Sequence, residues 1–278
     1  HKSFGLGTNF RVGRQSPTGG GVLHRFDGLQ AGYSFVPKWR INAVAGVPMD
    51  RLLSTKRKLY GAWIDAEALT SEISGSLYFN QQKIDGYLDR RAVGTELRYF
   101  SGGVSVNSQL DYDQLFKGLN IASVQGTWQF PDNSVINFLY DRRATSMLSL
   151  SNVLFFQDPL AARQAETVAE LVASSSEFQL QQQAKAVTPY QKQMMIGGTT
   201  PINEKWQIGA DLNLTNVEAV PAIPSINFEG FPSTGNLWSL GTQLIGSNLY
   251  SEKDTHVFVV TYLKGPVYNG LQMSYNNM

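Results

Sequence analysis

The stretch IASVQGTWQF, residues 121–130, decides the fold class. Its side chains change character at every step, and a period of two is typical of a β-strand with two unlike faces. One face carries Ala122, Val124, Gly126, Trp128 and Phe130, and the other carries Ser123, Gln125, Thr127 and Gln129. The pattern holds for roughly ten residues, longer than the usual strand of about 5–6 residues. The stretch therefore predicts a long amphipathic strand.

The same alternation recurs along the chain. From Trp206, the apolar residues Ile208 and Leu212 alternate with the polar residues Gln207 and Asp211. Repetition of this pattern predicts an all-β, antiparallel up-and-down architecture of about 14 strands. The predicted strands are 3–14, 26–36, 39–49, 58–68, 72–81, 88–100, 103–113, 119–130, 133–145, 190–200, 205–216, 236–247, 254–264 and 268–277.

Composition excludes several functional classes. The 278 residues are 42% hydrophobic and only 16% charged, against about a quarter charged in soluble domains. Lys plus Arg number 23 and Asp plus Glu 22, so the net charge offers no attraction to nucleic acid, and no nucleic-acid partner is expected. The absence of cysteine excludes disulfides, thiolate metal sites and a cysteine nucleophile.

Alternating strands fit two architectures. A soluble sandwich would turn the apolar faces into a core, whereas a transmembrane β-barrel turns them to lipid and its polar faces to a wet lumen. No run of about 18 apolar residues predicts a spanning helix. Strand length and aromatic residues near strand ends, such as Trp39, Tyr99, Trp128 and Trp206, favour the membrane barrel. We expect residues 1–278 to form one barrel domain, which could itself belong to a larger barrel.

The connections alternate between short and long. Short ones are predicted at 37–38, 69–71, 101–102, 131–132 and 201–204, and longer ones at 15–25, 50–57, 82–87, 115–118, 146–189 and 217–235; Gly265-Pro266 is short where the pattern requires length. Outer-membrane barrels have short periplasmic turns and long external loops. The sequence thus predicts the outer membrane of a Gram-negative bacterium, with lipid as the surrounding partner.

The longest loop has helical character. Asp158-Pro159 predicts a helix start, and Ser176 with Gln179 forms a capping-box pattern. We expect a helical insert at 158–186. It could plug the lumen, or it could lie outside the membrane or at the rim.

Charged residues predicted to face the lumen are the candidate site. The lumen-lining candidates are Glu67, Glu96, Arg98, Asp111, Asp113 and Asp211. The candidates for the loop-side rim are Arg14, Arg25, Asp89, Arg90, Arg91, Asp141, Arg142 and Arg143. Mixed signs favour ion-pair ladders across the wall over a single-sign ion filter, and a substrate path is the alternative.

The sequence contains no recognisable set of catalytic residues. His1, His24 and His256 lie apart at a terminus, in a loop and near a turn, without metal-ligand spacing. The Gly-rich segment 17–21 lacks the following Lys and Ser or Thr of a phosphate-binding loop, so it predicts a mobile loop. We expect no enzyme activity, no metal and no cofactor.

Several segments resemble a known family. GRQSPTGGGVLHRFDGLQAGY (13–33), KWRINAVAGVP (38–48), GSLYFNQQKIDGYLDRRAVGTELRYF (75–100) and YDRRATSMLSLSN (140–152) are similar to the barrel domain that ends many proteobacterial envelope proteins with tetratricopeptide repeats. The resemblance implies an outer-membrane barrel, with a periplasmic repeat region, a surface polymer or a filament as partner.

Two functions follow. The first is a non-enzymatic polar passage for small solutes or an exported surface polymer. The second is a structural or adhesive barrel that anchors a surface partner or filament through its loops. A membrane-embedded hydrolase is a third, weaker hypothesis.

Overall fold

Fifteen antiparallel strands make up most of the structure. The computed structural model describes residues 2–4, 7–16, 19–22, 24–49 and 55–278. The strands are β1 (Lys2–Phe4), β2 (Thr8–Gln15), β3 (Phe26–Val36), β4 (Trp39–Pro48), β5 (Arg57–Ala66), β6 (Ile73–Ile84), β7 (Tyr87–Ser101), β8 (Val104–Asp113), β9 (Gly118–Gln129), β10 (Val135–Ala144), β11 (Tyr190–Pro201), β12 (Trp206–Val217), β13 (Leu237–Ser247), β14 (Thr255–Lys264) and β15 (Asn269–Asn277).

Each strand pairs with its neighbour in sequence. The order is β1 through β15 without a crossover, and every pairing is antiparallel. Within the part of the chain that the structure describes, β1 pairs only with β2 and β15 only with β14. The prediction of an all-β, up-and-down sheet of about fourteen strands is confirmed.

One strand and one connection differ from the prediction. The first predicted strand is divided, because Gly7 adopts a φ of +75° and the chain turns back to pair β1 with β2. The long connection predicted at 82–87 is wrong, since β6 and β7 are joined only by Asp85 and Gly86. These residues have φ values of 50° and 95°, and two positive φ values are what a tight type I′ hairpin requires.

The two faces of the sheet differ in exposure. Leu77 is 64% exposed, whereas Tyr78, its neighbour on the opposite face, is 2% exposed. Leu110 and Asp111 repeat the contrast, with 48% and 0% exposure. In a soluble sandwich the apolar face would be the buried one. Here it is the outer face of the sheet.

Outward-facing large apolar side chains come from nearly every strand. They include Phe10, Leu29, Ile41, Tyr60, Leu77, Leu97, Leu110, Trp128, Phe138, Ile196, Leu212, Leu240, Phe258 and Met273. An exposed apolar surface on this scale is rare on soluble monomers and marks contact with a partner or membrane.

The sheet carries two buried apolar clusters, and the second of them lies at its long-loop end. One comprises Val22, Phe26, Val44, Leu59, Trp63 and Tyr78. The other joins strand ends and loop residues and comprises Ile84, Phe116, Ala144, Leu148, Leu150, Val153, Leu154, Val168, Leu180 and Ala184.

The second cluster fixes the long loop between β10 and β11. This loop contains a 3₁₀ helix (Leu150–Phe155), α1 (Val168–Ser174) and α2 (Glu177–Ala186), so the prediction of a partly helical loop is confirmed. The capping box of Ser176 and Gln179 is present at the start of α2. No helix among the described residues is long and apolar enough to cross a membrane.

The helix start predicted at Asp158-Pro159 is wrong. Oδ1 of Asp158 accepts a hydrogen bond from the backbone N–H of Leu160 at 2.8 Å, which closes a turn. The helix begins ten residues further on, at Val168. Its N-cap is Thr167, whose hydroxyl accepts from the backbone N–H of Glu170.

Candidate functional site

A row of polar side chains crosses the inner face of β4–β10. Strand register aligns its members as successive partners. In order, the members are Arg40, Asp65, Ser76, Glu96, Gln109, Ser123 and Asp141. We call this set the polar row. Its continuity over seven strands follows from the period of two, because register keeps one face of each strand level with the next.

Two open pockets lie along the polar row. The first has a volume of about 300 Å³ and is lined by Arg40, Asp65, Glu67, Glu96 and Arg98, among others. The second, of about 440 Å³, includes Arg98, Asp141 and Arg143 in its lining. Because Glu96 and Arg98 line both, the pockets form one polar surface.

Two members of the polar row, Glu96 and Asp141, each form an ion pair with an arginine on their own strand. Arg98 Nη2 is 3.4 Å from Glu96 Oε2, and Arg143 Nε donates to Asp141 Oδ1 at 2.6 Å. Residues two apart on a strand share a face. The side chains of Arg98 and Arg143 nevertheless stay 66% and 49% exposed, so their guanidinium groups remain available to a solute.

Asp65 is a member of the polar row that the sequence reasoning missed. Its Oδ2 accepts hydrogen bonds from Asn42 Nδ2 at 2.8 Å and Trp63 Nε1 at 3.0 Å. Arg40 was also missed. Continuing the alternation from the outward-facing Ile41 and Ile64 would have placed both residues on the polar face.

A second charged cluster lies on the same face but is fully buried. Arg90 Nη2 donates to both oxygens of Asp111, at 2.6 and 2.7 Å. Tyr78 donates its hydroxyl to Asp111 Oδ2 at 2.7 Å, and Arg90 Nε lies 3.7 Å from Asp113 Oδ2. The side chains of Arg90, Asp111 and Asp113 have no exposed surface. Asp111 and Asp113 thus lie on the predicted face, beneath other residues.

Residues of the Gly-rich loop cover Arg90 and Tyr78, the two side chains that donate to Asp111. The carbonyl oxygen of Gly21 accepts from Asn80 Nδ2 at 2.8 Å and from Arg90 Nη1 at 3.4 Å. A Cβ at Gly21 would lie 2.1 Å from the ring of Tyr78, and one at Gly20 2.5 Å from the ring of Trp63. Residues 19–22 therefore pack against the inner face of the sheet, and residues 17 and 18 of the predicted mobile loop lie outside the described residues. Only glycine permits this approach.

The predicted rim residues separate into different settings. Asp89 is buried and accepts from the Ser149 hydroxyl and the Ser151 backbone N–H, which ties the 3₁₀ helix to β7. Arg14 pairs with Asp27 at 3.0 Å, while the side chain of Arg25 is exposed.

Two further rim residues and one lumen candidate lie away from the polar row. Arg91 Nε donates to Gln81 at 3.2 Å. Arg142 stacks over the ring of Tyr190 at 3.8 Å. Asp211 lies on the inner face of β12, where it is the register partner of both Gly197 and Gly241.

Comparisons with known proteins give matches only among solved structures. No family model matches the sequence, and no curated protein matches it significantly. Solved structures from Pseudomonas aeruginosa are similar: OprD (10% identity, TM-score 0.46, covering 98% of this chain and 77% of that one) and OccK10 (OpdN) (12% identity, TM-score 0.45, covering 99% and 81%). OccK5 (OpdH) has 9% identity and a TM-score of 0.42, with 98% and 78% coverage.

None of these neighbours is named as an envelope protein with tetratricopeptide repeats. They do not support the resemblance to the repeat-protein barrel. Likeness at this level of identity does not transfer a substrate or a mechanism to this chain.

Proposed function

We propose that this chain forms the wall of a non-enzymatic polar passage for small solutes across the outer membrane of a Gram-negative bacterium. The single observation that carries the proposal is the orientation of the faces. Leu77, Leu110 and their counterparts point outwards, while the polar row lies on the inner face. Only a wall with lipid outside and water inside stabilises both faces at once.

The polar row supports the passage of hydrophilic solutes. Carboxylates and guanidinium groups lie side by side, as in the Glu96–Arg98 and Asp141–Arg143 pairs. A wall with both signs replaces part of a solute's hydration shell without holding one charge type tightly. Such weak, repeated binding is what conduction requires.

The packed Gly-rich loop supports selection by size. Residues 19–22 occupy space on the inner face of β4–β6 and are fixed there by Asn80 and Arg90. A segment folded into the lumen narrows the passage. We expect small solutes to pass more readily than large ones.

An anchoring function is the second candidate, and one observation favours it. Apolar side chains on the outer loops are exposed, with Leu160 at 78%, Phe178 at 67% and Phe231 at 57%. A surface polymer, a filament or a periplasmic repeat region as partner stays a hypothesis. An anchoring barrel would need no solute flux.

Solute flux into proteoliposomes separates these functions. The refolded chain is reconstituted, and swelling is followed in iso-osmotic arabinose, glucose, sucrose and raffinose. The proposal predicts swelling whose rate falls as solute size increases. The variant Glu96→Gln/Arg98→Gln removes two charges while leaving polar side chains at both positions, and should change rates for charged amino acids more than for sugars. No swelling above protein-free liposomes, with insertion verified, would leave the anchoring function.

A further inference from the structure

A basic pocket lies outside the polar passage, at the outer ends of β5 and β6. It has a volume of about 540 Å³, and three lysines, Lys56, Lys58 and Lys83, line it. Tyr60 forms part of the wall, and Thr167 of the long loop contributes from the other side. We call it the lysine pocket.

Strand register places two of the lysines directly against each other. Lys58 and Lys83 are Cα partners across the β5–β6 pair, and both side chains are exposed on the outward face. Like charges opposite each other destabilise a strand pair. Among the described residues, none of the three ammonium groups has an acidic side chain as ion-pair partner within 4 Å.

One carboxylate lines the lysine pocket, and it is engaged elsewhere. Asp85 Oδ1 accepts from the backbone N–H of Lys56 at 2.7 Å, and Oδ2 accepts from the backbone N–H of Val168 at 2.9 Å. Three ammonium groups therefore surround the pocket against a single carboxylate. An anion bound between Lys58 and Lys83 would relieve the repulsion.

The position of the lysine pocket along the membrane normal indicates the source of that anion. On β5, the outward face runs from Lys58 through the aromatic Tyr60 to Ala62 and Ile64. On β6, it runs from Lys83 through Gln81 to the apolar Phe79. Tyrosine marks the membrane–water interface of such barrels. The ammonium groups thus lie one step beyond the interface, at headgroup level.

We propose that the lysine pocket binds the phosphate of a phosphorylated lipid headgroup in the outer leaflet. The inference rests on the proposed placement in the membrane. Lysine ammonium groups bind phosphate through charge-assisted hydrogen bonds. A lipid supplies this phosphate at the right height, with its acyl chains against the apolar face below Tyr60, whereas a soluble anion would gain nothing from that face.

Binding of a defined lipid to the folded chain tests the proposal. The full chain is reconstituted in phosphatidylcholine nanodiscs, and binding of diphosphoryl lipid A is measured against lipid A stripped of its phosphates. Each positive charge near a membrane surface contributes about 1 kcal/mol, which is about fivefold in affinity. Lys58→Gln/Lys83→Gln should therefore weaken binding of the phosphorylated lipid about 25-fold and leave the stripped lipid unaffected.

Controls make each outcome decisive. Lys205→Gln/Lys253→Gln removes two exposed lysines at the opposite end of the sheet and should leave binding unchanged. Equal affinity of the wild type for both lipids overturns the proposal without any variant. Inorganic phosphate that binds as tightly as the phosphorylated lipid overturns the lipid as occupant. Failure of the chain to insert into phosphatidylcholine nanodiscs would instead refute the proposed membrane function.

Discussion

Arginine substitutions at adjacent positions of β9 should differ sharply in cost. Val124 is the seventh of the twelve residues of β9 and points outwards, while Gln125 points inwards beside Asn107 and Leu139. With about 3.4 Å per residue and a tilt of about 40°, Val124 lies, along the membrane normal, about 16 Å from the Gly118 end of β9 and about 13 Å from the Gln129 end. This position is close to the bilayer midplane. We expect Val124→Arg to cost about 2–4 kcal/mol in free energy of unfolding.

Gln125→Arg should be nearly neutral, because its guanidinium group reaches water in the lumen. Reversible urea unfolding in lipid vesicles, followed by tryptophan fluorescence, measures both costs. Leu212→Arg and Asn213→Arg form a matched second pair, since Leu212 is likewise the seventh of the twelve residues of β12. Equal costs within each pair, or a larger cost for the inward position, would refute the assignment of faces.

Three further changes probe the buried and loop contacts. Arg90→Met should lower the free energy of unfolding by about 3–5 kcal/mol, because it leaves two buried carboxylates without their cation; an unfolding curve matching the wild type would contradict this. Burial opposes ionisation of Asp254, but backbone N–H groups of Ser251, Tyr250 and Leu249 outweigh it and hold its pKa below the usual range. A lowered pKa stabilises the fold above the carboxyl's unfolded-state pKa, and that stability is lost as pH falls. As the pH is lowered, the urea concentration at the midpoint of unfolding should therefore decrease less for Asp254→Asn than for the wild type. Removing residues 19–22 should raise single-channel conductance severalfold, whereas removing 158–186, which pack on strand ends, should change it little; the opposite ranking would make the long insert the constriction.

The strands could be predicted because their cause is local. Alternation sets the face of each residue, so β3 (Phe26–Val36) and β9 (Gly118–Gln129) follow from the sequence within a residue or two. The extended β6–β7 hairpin was missed because Gln82 and Lys83 appear polar enough for a loop. The Asp85-Gly86 pair, which favours a tight turn, was the signal that could have found it.

The candidate site was only partly predictable, because burial depends on distant contacts. Alternation places Asp111 and Asp113 on the polar face, but not beneath another segment. Part of that cover comes from Gly21, which contacts Arg90 from 69 positions earlier in the chain. The Gly-rich sequence around Gly21 indicates only a loop. The Glu96–Arg98 pair could be placed from sequence, since both residues share one strand.

Thiol labelling along β9 tests most directly whether this wall separates lipid from a wet passage. The chain contains no cysteine, so single cysteines can be placed at Ala122, Ser123, Val124 and Gln125 without background. A charged, membrane-impermeant methanethiosulfonate reagent is added during single-channel recording. We expect Ser123→Cys and Gln125→Cys to react and change the current, and Ala122→Cys and Val124→Cys to stay unmodified. Labelling at all four positions, or at Ala122 and Val124 alone, would contradict the proposed wall.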